Sequence, residues 1–230
     1  MLVSAIIPAA GFGLRIKKDI PKALIPLEKK PIFIHTLEII AKHPKIKEII
    51  LAVPRGYLDL FKKIIKDYRI KKVKEVLEGG LQRQESVRKS LEFVDKKIDF
   101  VLIHDAVRPF INLKLLSKVI GEVEKYKAVT LGVPLVPTIK LVDKEGFVKE
   151  TLNRKVLFET QTPQVFKKDL IIKAHQKFKG NDFSDDAQMV EKLGFKVKML
   201  EGDFLNIKIT YPLDLVLAKF ILKNKKGYGF

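Results

Sequence analysis

The chain alternates apolar strand-like runs with amphipathic helical stretches, and this alternation limits the folds open to it. "LVSAIIPA", "KEIILAVP", "KKVKEVLEGG", "DFVLIHDA" and "AVTLGVPLV" read as strands. Between them lie "PIFIHTLEIIAKHP", "GYLDLFKKIIKDY", "RQESVRKSLEFV" and "NLKLLSKVIGEVEKY". Their apolar residues recur at helical spacing, as Ile32, Phe33, Leu37 and Ile40 do in the first. Strands separated by such helices predict βαβ units. The expected class is therefore α/β, a Rossmann-like, mostly parallel sheet flanked by helices. Sheets of this kind place ligands beyond the carboxyl ends of their strands.

The rhythm breaks after Pro137. "TIKLVDKEGFVKET" is two short alternating segments about a "DKEG" turn, which predicts a β-hairpin outside the βα series. Such an arm, covering approximately residues 135–156, suits dimerisation better than chemistry. "TQTPQVF" reads as a rigid polar turn about an X-Pro bond. Helices resume at "KKDLIIKAHQKF" and "SDDAQMVEKLG"; a strand "FKVKMLEG", a short strand-like "NIKIT" and a last helix "YPLDLVLAKFILK" follow. With no linker or repeat, the expectation is a single domain over residues 1–230 carrying the arm.

Composition narrows the function classes. With 47% hydrophobic and 31% charged residues the chain is not disordered, and 230 residues can bury a sizeable core. No apolar run approaches a membrane span, and "MLVSAIIPAAGFG" lacks the basic head and cleavage site of a signal peptide. The absence of cysteine excludes disulfides and a thiolate nucleophile. A cytoplasmic protein is expected. Lysine and arginine exceed acids by 45 to 27, a net charge of +18 that attracts anions of any kind. A solvated lysine surface gives the same figure, so the scarcer arginines carry more information. They stand only at Arg15, Arg55, Arg69, Arg83, Arg88, Arg108 and Arg154, and their fixed donor forks suit phosphates and carboxylates.

The first strand runs into "AIIPAAGFGLRI". This loop has neither the Walker A spacing nor the third small residue of a dinucleotide fingerprint, because Ile16 occupies that place. Ala9, Ala10, Gly11 and Gly13 still leave a bare backbone whose N–H groups can face an anion, with Arg15 and Lys22 beyond. The alternative is a tight turn with two surface cations. In "HDAVRP", Asp105 at a strand's end is a natural Mg²⁺ ligand, since magnesium favours one or two carboxylates plus phosphate oxygens. His104 has no partner at ligand spacing and reads as structural, Arg108 as a loop, Asp105 or phosphate contact, and Pro109 as the end of the strand segment. In "EGGLQRQESV", Gly79 and Gly80 allow a flat base close to the backbone, and Ser86 can donate to a base carbonyl; a capped βα turn is the alternative. Lys208 in "NIKIT" points away from Ile207 and Ile209, into a cleft. "SDDA" reads as a helix N-cap by Ser184, with Asp185 and Asp186 favourable at the helix start; a second acidic site is the alternative.

Taken in order, "PAAGFGLR", "PKALIPL", "PIFIHTLE", "GGLQRQESV", "HDAVRP", "TQTPQVF", "SDDA" and "NIKIT" resemble the 2-C-methyl-D-erythritol 4-phosphate cytidylyltransferases over nearly the whole chain. "PAAGxGxR" alone marks the broader nucleotidyltransferase superfamily; the combination with "GGxxRQxSV", "HDAxRP" and "TPQxF" is far more specific. The resemblance implies transfer of CMP from CTP to a phosphorylated polyol with Mg²⁺, in a homodimer whose arms cross between subunits. It implies that Arg15 and Lys22 hold the triphosphate, Lys208 meets the α-phosphate and Asp105 binds the metal. Ala9, Gly80 and Ser86 would form the cytosine pocket beside the loop of Ala10, Gly11 and Gly13. Thr138, Arg154 and Thr162 would bind the acceptor phosphate, the first two from the partner's arm, with Arg108 lining the same cleft. Ser184 stands where the family often has threonine, and Leu81 where some relatives place an acid. Two rival readings are ribitol-5-phosphate cytidylyltransferase and a nucleic-acid-binding protein; for the latter, exposed stacking aromatics and a known binding module are missing.

Overall fold

A computed structural model describes residues 1–12 and 20–224. Its centre is a seven-stranded sheet. In chain order the strands and helices are Val3–Pro8 (β1), a two-residue pair Pro26–Leu27 (β2) and Lys30–Pro31 (β3), Ile32–Lys42 (α1), Ile46–Val53 (β4), Leu58–Asp67 (α2), Val73–Glu78 (β5), Arg83–Leu91 (α3), Phe100–Ile103 (β6) and Leu113–Tyr126 (α4). Ala128–Pro134 (β7), the arm strands Lys140–Val142 (β8) and Val148–Thr151 (β9), Phe158–Lys167 (β10), Lys168–Lys177 (α5), Asp186–Lys192 (α6), Lys198–Glu201 (β11) and Pro212–Lys223 (α7) follow. The sheet order is β11-β7-β10-β6-β1-β4-β5, with β10 antiparallel to both neighbours and the other pairings parallel.

Side-chain alternation along β1 explains how the sheet is covered on both faces. Val3, Ala5 and Ile7 pack on one side with α1, α2 and α4, through Phe33, Leu37, Phe61 and Leu116. Ile6 faces the other side, with Val87 of α3, Ile171 of α5 and Met189 of α6. A smaller third cluster joins Ile25, Leu27 and Ile32 to Phe110, Ile209 and Ala218 of α7, and so supports the loops at one end of the sheet.

Several expectations need correction. "TQTPQVF" is no turn: it lies inside β10, between β7 and β6, where the ladder with β7 shifts register between Gln161 and Gln164 and the Thr162–Pro163 bond is cis. Local rules treat proline as punctuation, but the irregularity lets the strand pass through the sheet. The strand before "HDAVRP" ends at Ile103, not at Pro109. "NIKIT" belongs to no strand; Asn206 and Ile209 tether it, the latter by its N–H to the Val107 carbonyl at 3.0 Å. The cap of α6 is Asp185, whose carboxylate accepts from the Gln188 N–H at 2.8 Å, rather than Ser184. The hairpin forms as expected, with the Asp143 carboxylate accepting from the Glu145 and Phe147 N–H groups and Gly146 at φ 91°.

Phe33 and Phe61 are fully buried with ring centroids 4.8 Å apart. Phe33→Ala is expected to lower the unfolding free energy by about 3–5 kcal/mol, read as a lower urea midpoint with an unchanged slope.

Candidate active site

The chain leaves β1, builds β4 and β5 on one side, and returns to place β6 on the other side of β1. The carboxyl ends of β1 and β6 therefore diverge into two loops that flank a crevice, the position at which open α/β sheets bind ligands. Backbone bonds hold both loops to the sheet. His104 N–H donates to the Ile6 carbonyl at 3.0 Å, Ala106 N–H to Pro8 at 3.4 Å, and Ala9 N–H to Ala52 at 2.7 Å.

The crevice is a cavity of about 200 Å³ that opens to solvent. Ala9, Ala10 and Gly11 form one wall with Lys22; Gly80, Arg83 and Ser86 form another; Asp105 and Lys208 close the far side. The expected loop and pocket residues thus converge, apart from Gly13 and Arg15, which lie outside the described residues. Bare backbone is required at Gly79, where an added Cβ would stand 2.6 Å from the Ala10 Cβ and the Ser86 Oγ. At Gly80 it would meet the Glu85 carboxyl at 2.3 Å. Ser86 is more committed than its sequence position suggests. Its Oγ accepts from Gly80 N–H at 3.0 Å and donates to the Gln82 carbonyl at 3.2 Å, so it shapes the glycine turn.

Asp105 lies at the centre, 5% exposed. Its Oδ1 accepts from Arg83 Nε at 2.8 Å; its Oδ2 is 2.8 Å from Lys208 Nζ and 3.8 Å from Arg108 Nε. Burial alone would favour the neutral acid, but Arg83, Lys208 and Arg108 outweigh it and hold the carboxyl well below the usual range. Arg83 also donates through Nη1 to Asp186 Oδ2 at 2.7 Å. Burial works against the Arg83 charge, yet Asp186 and Asp105 together fix it more firmly in the cationic form. Asp186 is fully buried and accepts at Oδ1 from His175 Nε2 at 3.0 Å. Burial opposes its ionisation, but Arg83 and His175 lower its pKa.

A second hollow adjoins the first and shares Arg83, Asp105 and Lys208 with it. It adds Arg108, Thr160, Gln161, Thr162 and Gln164 from the β6 loop and β10. Arg108 Nη1 donates to the Asn206 carbonyl at 2.8 Å and so anchors the loop that carries Lys208. Thr162 Oγ1 accepts from Asp105 N–H at 3.0 Å and lies 3.1 Å from His104 Nδ1. His104 Nε2 is 3.2 Å from the Arg108 carbonyl, which can only accept. The hydrogen-bond pattern therefore assigns the proton to Nε2 and leaves Nδ1 to receive the Thr162 hydroxyl. Burial pushes the His104 pKa down to about 4. Both ring nitrogens are spent on structure, as expected for this histidine.

Thr138 and Arg154 are not brought to either hollow. Both are exposed on the arm, where an Arg154 guanidinium N–H donates to the Val136 carbonyl. Arg83 and Asp186 join the site although the sequence assigns neither a specific role. The scarcity of arginine points to the first; the second is open in the sequence as part of an acidic site, with a helix start the preferred reading.

Among the described residues no cluster of three acidic, histidine or cysteine side chains could cage a metal. The donor chemistry still fits a magnesium ion held by one carboxylate, Asp105, together with phosphate oxygens of a bound nucleotide.

Comparison with known proteins agrees with this geometry. The family model described as 2-C-methyl-D-erythritol 4-phosphate cytidylyltransferase matches residues 3–224. The protein of that name from Clostridioides difficile is 42% identical over 228 residues, covering 98% of this chain and 95% of the relative. The one from Syntrophus aciditrophicus is 40% identical over 228 residues, covering 98% and 97%. Among solved structures, the 4-diphosphocytidyl-2C-methyl-D-erythritol synthase of Anaerococcus prevotii superposes with a TM-score of 0.86 at 33% identity, covering 96% of each chain. The Thermus thermophilus cytidylyltransferase superposes at 0.79 and 32%, covering 97% of this chain and all of that one. Family match, sequence identity and fold therefore agree with the crevice geometry: this chain belongs to the 2-C-methyl-D-erythritol 4-phosphate cytidylyltransferase family.

Proposed function

We propose that the protein transfers CMP from CTP to 2-C-methyl-D-erythritol 4-phosphate, with Mg²⁺ and as a homodimer, releasing pyrophosphate. The observation that carries this reading is the pair of hollows that meet at Asp105, Arg83 and Lys208. The nucleotide would occupy the first, with cytosine against Ala9, Gly80 and Ser86 and the triphosphate along Ala10, Gly11 and Gly13 toward Lys22 and Arg15. The acceptor phosphate would occupy the second, near Arg108 and Thr162, with Thr138 and Arg154 reaching in from the partner's arm. The relatives are named for methylerythritol phosphate, which favours that acceptor over ribitol phosphate.

The reaction joins an acceptor phosphate oxygen to the α-phosphorus as the bond from that phosphorus to the bridging oxygen breaks, and the electron pair leaves with pyrophosphate. The nucleophile is already ionised at neutral pH, so no side chain need remove a proton. The barrier is repulsion between two anions and charge developing at phosphorus, which positioned cations lower. Lys22 would hold the triphosphate, and Lys208 would turn from Asp105 to the α-phosphate. Asp105 would hold magnesium, which would supply further charge neutralisation. Thr162 has one hydroxyl proton, so contacting the acceptor phosphate would draw that proton away from His104 Nδ1.

The exposed apolar side chains of the arm, Leu141, Phe147, Val148 and Val156, support an intersubunit role. Their burial against a second copy would put Thr138 and Arg154 beside the neighbour's second hollow.

Lys22→Ala is expected to lower kcat for pyrophosphate release by about 10²–10³-fold with the melting temperature retained; near-normal turnover would remove Lys22 from the triphosphate site. Chelating magnesium should abolish turnover, and Asp105→Asn should reproduce most of that loss. Mixing Lys22→Ala with Arg154→Ala protein under conditions that exchange subunits should restore activity toward about a quarter of wild type, because one site of each mixed dimer is then intact. No recovery would place Arg154 in its own subunit's site or outside the chemistry. Because the folded pKa of His104 lies below its ordinary value, the ring binds its proton only as pH falls toward about 4. Its NMR signals should stay those of a neutral imidazole from pH 8 to pH 5.5; a midpoint near 6.5 would contradict the buried hydrogen-bond pattern.

A further inference from the structure

Lys208, Asp105, Arg83, Asp186 and His175 form an unbroken chain from the crevice into the layer of α5 and α6. The contacts measure 2.8, 2.8, 2.7 and 3.0 Å. Lys208 at the crevice end is 38% accessible, whereas Asp186 and His175 at the far end are 0% and 1%. The end at the crevice is open to solvent, whereas the far end is buried in the layer of α5 and α6.

Arg83 divides its guanidinium between two acids, Nε to Asp105 and Nη1 to Asp186, while Nη2 has no hydrogen-bond partner among the described residues. A guanidinium engaged by one carboxylate alone tends to pair with both of its oxygens. Here Asp186 instead fixes the orientation of the guanidinium through Nη1, Nη2 stays unpaired among the described residues, and Asp105 is met through Oδ1 alone. Its Oδ2 is left facing the crevice, where Lys208 covers it. Lys208 is a flexible, partly exposed cation and can be exchanged for another one. Arg83, fixed from behind, cannot.

We infer that Asp186 is a positioning residue for the transfer reaction: acting through Arg83, it presents a single oxygen of Asp105 to the metal-bound triphosphate. The inference rests on the proposed cytidylyl transfer. It gives Asp186, which touches neither hollow's reacting end, a role that capping of α6 does not supply, since Asp185 performs the cap. His175 fixes the other Asp186 oxygen and thereby the direction from which Arg83 is held.

Asp186→Asn keeps the shape and one acceptor but removes the charge that fixes the orientation of Arg83. The expected result is a fall in kcat and a weaker Mn²⁺–CTP complex by calorimetry, each by about 10–100-fold. Binding of metal-free CTP in EDTA and KM for the acceptor should each move by less than about twofold. In an Asp105→Asn background the same substitution should add less than about a further twofold, because both act through one carboxylate. Unchanged kcat and Mn²⁺–CTP affinity with only a lower melting temperature would reduce Asp186 to a structural residue and overturn the inference. So would fully additive losses. If Asp186→Asn fails to fold, Arg83→Lys, which cannot bridge the two acids in the same plane, is measured in the same ways: the same losses support the positioning role, and unchanged kcat and Mn²⁺–CTP affinity overturn it. Wild-type protein assayed alongside separates the two levels: no pyrophosphate release from it refutes the cytidylyl transfer itself, whereas an active wild type with an indistinguishable Asp186→Asn refutes only the positioning role.

Discussion

The buried Asp105 carboxylate organises the site. A carboxylate taken from water is costly unless its oxygens are paired, and removing a partner from a buried pair typically costs about 3–5 kcal/mol. Here Arg83 takes one oxygen and Lys208 the other, with Arg108 close by. In return the acid gathers three cations that would otherwise repel one another in a chain already carrying +18. The same arrangement that keeps Asp105 ionised gathers cations along the crevice. The crevice proposed to receive a triphosphate is in this way stable without one.

The sheet determines where that carboxylate stands. β1 and β6 are paired as far as Ile6 and Ile103, and the next residue, His104, still donates to the Ile6 carbonyl. Asp105 follows at the point where the two backbones part. The antiparallel strand β10 then passes on the other side of β6 and brings Thr162 to the Asp105 N–H. Neutral His104 locks the register of this corner by receiving Thr162 and donating to Arg108. A charged imidazole would lose one of those two acceptor–donor matches, which is why burial of the neutral form suits the position.

Much of this is legible in the residues. The βα alternation predicts the parallel part of the sheet because each buried strand and each amphipathic helix carries its own period. Gly80, Lys22, Asp105 and Lys208 stand out as candidates in the residues, and the structure brings them to one crevice. Three features are hidden for physical reasons. β10 contains a proline and is preceded by the arm, so local rules read it as a turn, whereas pairing on both edges keeps it a strand. Ser86 looks like a free donor because sequence does not show that the Gln82 carbonyl lies 3.2 Å away. Asp186 is separated from Arg83 by 103 positions, and no local pattern reports a contact of that range.

The arm follows from the same electrostatics. Within one subunit the second hollow holds Arg83, Arg108 and Lys208, and each is already engaged, by Asp105, Asp186 or the Asn206 carbonyl. An acceptor phosphate bound there as proposed would meet only cations already engaged. The free-standing hairpin holds another arginine, Arg154, beside a run of apolar side chains that water covers unfavourably. Burying that apolar surface against a second copy would deliver the missing cation to the place where the charge needs it. In the proposed homodimer an isologous pairing would do so twice at once.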